Sequence, residues 1–150
     1  MRTYTIRATE ESDRPQWNEL YTGYAKFYGV PQTPEMRDTV WSWLHDKHKE
    51  TCGLVAEGSD GTLLGIAHYR PFARPLSATT GCFLDDLFVA PEARSSGVAN
   101  ALLDHLSAIA SERGWSIVRW ITADNNYRAQ ALYDRVATKT DWLTYDIKIG

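Results

Sequence analysis

Residues 82–114 read CFLDDLFVAPEARSSGVANALLDHLSAIASERG, the pattern of a strand, a short loop and a helix. The first part is apolar up to Val89 apart from two adjacent aspartates, and Ala90-Pro91 ends the strand pattern. After the loop, apolar residues recur on one helical face until Gly114, a residue typical of helix C-termini. That face consists of Val98, Leu102, Leu106, Ile109 and Ala110. The segment therefore predicts a central strand that leads directly into an amphipathic helix.

The loop between these two elements, Arg94-Ser95-Ser96-Gly97-Val98-Ala99, has the composition of an anion-binding site. The first amides of a helix lack carbonyl partners and lie at the positive end of the helix dipole, so they attract phosphate. At Gly97 the backbone can approach a phosphate closely, and Arg94 adds a cation. Because serine and glycine also form ordinary helix caps, both interpretations stay open from this loop alone.

Two motifs give the sequence a family resemblance. Arg-x-x-Gly-x-Ala at residues 94–99, after a strand that ends in Leu-Phe-Val, resembles the acetyl-CoA signature of the GNAT superfamily of N-acyltransferases. Asn-x-x-Ala-x-x-Leu-Tyr at residues 126–133 is similar to the helix that this family places beside the CoA thiol. The resemblance covers residues 81–149 by motif and the first half of the chain by order of elements. Within the family, these motifs look most like the polyamine and small-amine acetyltransferases.

The resemblance implies acetyl-CoA as co-substrate and assigns residues to its binding. The loop at the helix start would hold the pyrophosphate, and the end of the central strand would offer main-chain groups to the pantetheine arm. The cofactor-binding residues expected on this basis are Leu87, Phe88, Val89, Arg94, Ser95, Ser96, Gly97, Val98, Ala99 and Asn126. Tyr133 matches the family tyrosine that protonates the leaving thiolate, and its alternative role is that of a core tyrosine.

The adjacent aspartates Asp85 and Asp86 are the other catalytic candidates. An alkyl ammonium has a pKa near 10.4, so its deprotonation at pH 7 costs about 4.6 kcal/mol. A carboxylate can bind that ammonium and take its proton through water. A regular strand sends the two aspartates to opposite faces, and a bulge changes which one faces the pocket. Resemblance favours Asp86; alternatively, one aspartate pairs with an arginine and the other contacts solvent.

Aromatic residues at helical spacing between Trp17 and Tyr28 predict a first helix with a packed face. Core packing accounts for most of this aromatic face. Because family members build the acceptor pocket partly from their first two helices, Tyr24 is the expected pocket residue, and it joins Asp86 as a substrate-binding candidate.

The remaining pattern places the chain in the α/β (α+β) class. We predict strands at residues 4–7, 53–57, 62–69, 116–121 and 143–149, helices after Pro15, after Pro34 and after Asn126, and a loop over residues 71–80. Residues 116–121 must run parallel to the central strand because a helix separates them. By resemblance, residues 1–150 form one GNAT-like domain. Its mixed, mostly antiparallel sheet has about six to seven strands, a splayed parallel pair at its centre and helices on both faces.

Composition excludes several classes of function. The net charge of −3 lacks the basic excess of nucleic-acid-binding proteins. No apolar run approaches the roughly 20 residues of a membrane span, and no secretory leader is visible, so we expect a cytoplasmic protein. The two cysteines and four histidines show no ligand spacing, so no metal is expected. Family resemblance implies a homodimer formed through the C-terminal strands or the sheet edge.

The family resemblance, together with these features, implies acetyl-CoA-dependent N-acetylation of a primary amine by direct attack, with a small polyamine-like or amino-acid-like acceptor. The first alternative acceptor is a protein N-terminus or lysine. A different class, a non-catalytic acyl-CoA-binding regulatory module, would use the same loop. One departure from the family pattern is Ala137-Thr138, which replaces the usual Gly-Phe after the tyrosine helix.

Overall fold

The computed structural model describes residues 3–150 and divides the chain into two compact units, Met1–Trp120 and Ile121–Gly150. The first unit contains one sheet of five strands in the order β1-β2-β3-β4-β5. The strands are β1 (Tyr4–Ala8), β2 (Cys52–Gly58), β3 (Leu63–Arg74), β4 (Thr79–Val89) and β5 (Val118–Arg119). All neighbouring strands are antiparallel except β4 and β5, which are parallel as the intervening helix predicts.

Three helices of the first unit cover the two faces of the sheet. They are α1 (Arg14–Phe27), α2 (Pro34–Leu44) and α3 (Val98–Arg113). Helices α1 and α2 bury Trp17 and Trp41 against Ile66 of β3. A side chain at the neighbouring position, Gly65, would meet Val98 and Leu102 of α3. Since successive strand residues face opposite ways, α3 lies on the other face.

Local end signals set the helix boundaries close to their predicted positions. Thr33 is the N-cap of α2, and its hydroxyl oxygen accepts a hydrogen bond of 3.2 Å from the Met36 amide. Gly114 ends α3 in a left-handed conformation with φ of 71°.

The predicted loop over residues 71–80 is wrong, because β3 continues to Arg74 and β4 begins at Thr79. Pro71 made a loop the expected structure here, since proline has no backbone N–H to donate to a neighbouring strand. The last residue of β3 that pairs with β2 is Tyr69, so Pro71 lies where β3 has a partner only in β4. A short helical turn over Pro75–Ser77 connects the two strands.

A bulge interrupts the ladder between β3 and β4. His68 pairs with Asp86 and Tyr69 pairs with Leu84, so Asp85 is the extra residue on β4. A bulge of this kind alters the direction of the side chains around it. The functional consequence is that Asp85 and Asp86 have separate surroundings.

β5 is shorter than the strand predicted at residues 116–121, and the sheet has fewer strands than predicted. β5 pairs only Val118 with Cys82 and Arg119 with Phe83, and it forms the edge of the described sheet. The fold class is confirmed as mixed α/β with a mostly antiparallel sheet. The expected six to seven strands become five, and the parallel pair lies at the edge instead of the centre.

The second unit contains α4 (Tyr127–Val136), and residues 137–150 after it form neither helix nor strand. The Asn126 side chain caps α4 by accepting a hydrogen bond from the Ala129 amide at 3.4 Å. The predicted final strand at 143–149 is wrong for the described chain, because the segment has no strand pairing in residues 3–150. A strand requires a hydrogen-bonded neighbour, and an alternating pattern alone does not supply one. Among the helices of residues 3–150, none combines the length and the hydropathy that a membrane-spanning helix requires.

Candidate active site

The carboxylate of Asp86 lies in a hydrogen-bonded cluster between β3, β4 and α1. Tyr21 donates its hydroxyl proton to Asp86 Oδ2 at 2.9 Å, and Nδ1 of His68 lies 2.8 Å from the same oxygen. Behind the histidine, the indole N–H of Trp17 donates to His68 Nε2 at 2.9 Å. The hydroxyl of Tyr24 also lies close enough to Asp86 to interact with its carboxylate. The side chain of Asp86 keeps 18% of its surface exposed, so a ligand can still reach it.

The cluster favours the ionised form of Asp86. Burial by itself would raise the pKa of this carboxyl group, but its hydrogen-bonding and electrostatic interactions with His68, Tyr21 and Tyr24 outweigh burial and lower the pKa below its ordinary value. The pKa values of the Tyr21 and Tyr24 hydroxyls are raised by burial and by the adjacent negative charge. Both tyrosines therefore stay protonated and serve as donors.

Asp85 has different surroundings. Its Oδ2 accepts a hydrogen bond of 3.0 Å from Nε of Arg70, and 34% of the aspartate side chain is exposed. Burial raises the pKa of Asp85, and the Arg70 guanidinium partly offsets that rise. The structure thus places one aspartate against an arginine and the other among tyrosines and a histidine.

Tyr24 belongs to an aromatic group beside this cluster. Its ring lies edge-on to Phe88 with centroids 6.0 Å apart, and it also packs against Tyr21 and Tyr28. Trp17 and Tyr21 are buried in the core, whereas Tyr24 is half-buried. The aromatic face of α1 therefore serves both the core and the surroundings of Asp86.

The loop before α3 has backbone geometry suited to an anion. Ser95 and Gly97 have positive φ angles of 67° and 87°, a conformation that glycine adopts most easily. Gly97 is the N-cap of α3, and because glycine has no side chain it offers no acceptor to the first helical amides. The Tyr4 hydroxyl donates to the Ser96 carbonyl at 3.4 Å, and the Ser96 hydroxyl donates to the Ala93 carbonyl. The loop residues thus fit a pyrophosphate.

Arg94 packs the same loop against α1. Its guanidinium carbon lies 5.5 Å from the ring centre of Phe27 and 5.6 Å from that of Phe88. An open groove of about 610 Å³ lies between α1 and the residues that follow β4, with Lys26, Arg94 and Glu92 in its lining. Arg94 therefore connects the loop to the helix that carries Tyr24.

In the second unit, α4 carries the two predicted residues Asn126 and Tyr133. Asn126 is the N-cap of this helix, and the Tyr133 side chain is half-buried. The predicted role of Tyr133 as the acid for the leaving thiolate stays a prediction.

Three residues of the Asp86 cluster were not among the predicted site residues: Trp17, Tyr21 and His68. The pattern of β3 indicates that His68 shares a face with Ile66, but its position opposite Asp86 depends on the bulge. Within residues 3–150, no group of three or more His, Cys, Asp or Glu side chains could hold a metal ion.

Comparison with known proteins identifies the class that this fold and site define. Residues 17–137 match the family model described as acetyltransferase (GNAT) family. The match covers most of the chain, which therefore belongs to the GNAT family of acetyltransferases. A protein of this family is an enzyme that uses acetyl-CoA as its acetyl donor, and the loop before α3 fits that donor.

Individual relatives agree with this assignment. The D-amino-acid N-acetyltransferase HPA3 of Saccharomyces cerevisiae is 32% identical over 141 residues, which cover 93% of this chain and 88% of that protein. A solved structure of a probable acetyltransferase has a TM-score of 0.86 at 28% identity, over 97% of this chain and 98% of that one. The aminoglycoside N-acetyltransferase AAC(6')-Iy in complex with CoA shares the fold, with a TM-score of 0.81 at 17% identity over 99% and 96%.

Proposed function

We propose that this enzyme transfers the acetyl group of acetyl-CoA to the primary amine of a small molecule by direct attack. The observation that carries the proposal is the partly exposed, ionised carboxylate of Asp86, which lies one residue after the β4 bulge. A negative group held in this way binds an ammonium ion.

The donor site is built from the end of β4 and the start of α3. We assign main-chain contacts with the pantetheine arm to Leu87, Phe88 and Val89, and pyrophosphate contacts to the loop and first helical turn. The residues of that turn are Arg94, Ser95, Ser96, Gly97, Val98 and Ala99. Positive φ at Ser95 and Gly97 and the uncapped amides of α3 support this assignment.

The lowered pKa of Asp86 determines which part it plays. A carboxylate with a lowered pKa stays negatively charged and can bind a cation, but it is a weak proton acceptor. Asp86 therefore binds and orients the acceptor, whose ammonium proton passes to water. The neutral amine then attacks the thioester carbonyl, the C–S bond breaks, and the amide nitrogen releases its second proton to water.

We assign the proton for the leaving thiolate to Tyr133 and a contact with the pantetheine arm to Asn126. A phenol has a pKa near 10, close to that of an alkyl thiol, so proton transfer between them is nearly balanced. Asp85, paired with Arg70, lies outside the Asp86 cluster, and we give it no contact with the acceptor.

The acceptor that we place first is a small amine of the amino-acid type. HPA3, a relative along most of the chain, is a D-amino-acid N-acetyltransferase. The aromatic side chain of Tyr24 beside the carboxylate provides an apolar wall for the carbon skeleton of such a molecule. A polyamine of the small-amine branch is the second choice, and a protein N-terminus or lysine the third. We further propose a cytoplasmic homodimer that acts without a nucleic-acid or membrane partner.

Thiol release measured with DTNB tests the proposal across D-amino acids, L-amino acids, polyamines and peptides with a free N-terminus. We expect turnover with at least one small amine, and a mass increase of one acetyl group in its product. Turnover with peptides alone would mean that the acceptor is a protein and not a small molecule. A protein that binds acetyl-CoA without turnover on any amine would contradict the proposed reaction.

A further inference from the structure

His68 is a buried polar side chain in contact with the carboxylate that we assign to the acceptor. Only 1% of its surface is exposed, and both ring nitrogens have hydrogen-bond partners. On β2, the residue opposite His68 is Gly53, which has no side chain. The ring is enclosed by Trp17, with centroids 5.7 Å apart, and by the edge of Tyr21 at 4.8 Å.

The hydrogen bonds of the histidine determine its tautomer. An indole N–H only donates, so His68 Nε2 must accept from Trp17 with its lone pair. The single proton of the neutral ring is then on Nδ1, where it points at Asp86 Oδ2 across 2.8 Å. A second proton on Nε2 would place two N–H groups head to head.

This arrangement also excludes His68 as a proton relay. Nδ1 already carries its proton, and the only lone pair of the ring is occupied by Trp17. A proton taken up by Asp86 therefore has no place to go on the histidine. The titratable groups around His68 are the hydroxyls of Tyr21 and Tyr24 on α1 and the carboxylates of Asp85 and Asp86 on β4.

From this geometry we propose that His68 and Trp17 are positioning residues, which hold the Asp86 carboxylate in the orientation that binds the acceptor ammonium. The inference rests on the proposed function, because it needs Asp86 at the acceptor site. Trp17 fixes the tautomer of His68, and His68 in turn donates to one oxygen of the carboxylate. Tyr21 donates to the same oxygen from α1 and completes the alignment.

The tautomer can be measured directly in the unmodified enzyme. Nitrogen-15 NMR of the imidazole side chains, with the His68 signals identified by their loss in His68→Asn, should show a proton on Nδ1 at pH 7. A proton on Nε2, or on both nitrogens, would overturn the proposed arrangement. In Trp17→Phe the Nε2–H tautomer of His68 should become populated. An unchanged tautomer would show that Trp17 does not fix it.

Kinetics test the effect on the acceptor. His68→Leu removes a donor to a charged group, so kcat/KM for the amine should fall about tenfold or more, with the KM for acetyl-CoA unchanged. The acidic limb of the pH profile should move to higher pH, because Asp86 loses a donor to its ionised form. His68→Asn offers an amide N–H near the Nδ1 position and should restore most of both losses.

The control is His48→Asn, a change at an exposed histidine, which should leave all rates at the parent value. If Asp86→Asn impairs amine kinetics while His68→Leu changes neither the amine kinetics nor the pH profile, the positioning role is wrong and the proposed function stands. If no amine is acetylated by the parent enzyme, the proposed function fails, and NMR still reports the tautomer. If His68→Leu does not fold, His68→Asn and the NMR measurement decide the question.

Discussion

Asp85 and Asp86 are adjacent in the chain, yet Asp86 lies among hydrogen-bond donors in a partly buried cluster while Arg70 neutralises Asp85 near the surface. Replacing Asp86 by Asn removes the negative charge opposite the acceptor ammonium. We expect the kcat/KM for the amine to fall about 10-fold to 100-fold, with little change in the affinity for acetyl-CoA.

The matched change Asp85→Asn should leave kcat/KM within about threefold, because an exposed ion pair contributes little. Steady-state kinetics at fixed acetyl-CoA compare the two variants. A larger loss of kcat/KM in Asp85→Asn than in Asp86→Asn would mean that Asp85, and not Asp86, binds the acceptor.

Asp13 makes the free energy of unfolding of the enzyme depend on pH. Its two carboxylate oxygens accept hydrogen bonds of 2.8 and 2.9 Å from Arg7, and these bonds lower the pKa of the buried Asp13. A carboxyl group with a lowered folded-state pKa stabilises the protein above its unfolded pKa of about 3.9, and the benefit is lost as the pH falls through the folded value.

We therefore expect Asp13→Asn to lower the free energy of unfolding at pH 7 by about 2 kcal/mol, with a smaller difference from the parent below pH 3. Asp38→Asn is the control, since Asp38 forms an exposed ion pair with Arg14, and it should cost less than about 1 kcal/mol. Urea unfolding at several pH values gives both numbers. Equal losses in the two variants, or a loss in Asp13→Asn that is independent of pH, would contradict this account.

Tyr133→Phe tests the proton donor that the sequence predicts. Removing the phenolic proton should lower kcat about 100-fold, because general acid catalysis contributes at least that much, while the Kd for acetyl-CoA stays the same. Tyr127→Phe is the control on the same helix, where the tyrosine is exposed, and its rates should match those of the parent. Stopped-flow thiol release and calorimetry separate rate from affinity. An unchanged kcat would remove Tyr133 from the mechanism.

Among the elements, the N-terminus of α3 provides a matched pair of glycines. Gly97 and Gly114 lie at the two ends of α3 and have φ angles of 87° and 71°. Alanine at either position would have to adopt a left-handed backbone conformation, which destabilises the protein by about 1–2 kcal/mol. At Gly97 the added carbon would also lie 3.3 Å from the Tyr4 hydroxyl, beside the proposed pyrophosphate site, whereas at Gly114 it would meet open space.

Both alanine variants should therefore lose similar stability in thermal unfolding, but only Gly97→Ala should weaken acetyl-CoA binding, by about tenfold in calorimetry. Equal acetyl-CoA affinity in the two variants would show that the loop before α3 does not hold the pyrophosphate.

The elements also show where sequence reasoning succeeds. Helix boundaries depend on local signals such as the Thr33 cap and the Gly114 terminus, so they could be read from the chain. The length of β3 could not, because Pro71 is acceptable only where β2 has already ended. The contact between His68 and Asp86 depends on a register shifted by one residue. That shift is a property of two paired strands, and neither strand's sequence contains it.

For the molecule as a whole, residues 143–149 after α4 bear on whether two copies of the chain associate. Leu143, Tyr145, Ile147 and Ile149 alternate with polar residues, as in a strand with one apolar face. Each is more than three-quarters exposed in the described chain, and Trp142 is exposed as well. Exposed apolar surface of this kind is costly in water and is typical of a protein interface. The segment therefore supports the proposed homodimer.

Double substitution of Tyr145 and Ile147 by Glu tests this assembly. The two charges fall on the apolar face and should convert a dimer into a monomer, measured by light scattering after size-exclusion chromatography at micromolar concentration. The matched double substitution of Thr144 and Lys148 by Glu places two acidic residues on the polar face and should leave the dimer intact. A parent protein that is monomeric, or a dimer that survives both double substitutions, would mean that the apolar face of this segment does not join two copies of the chain.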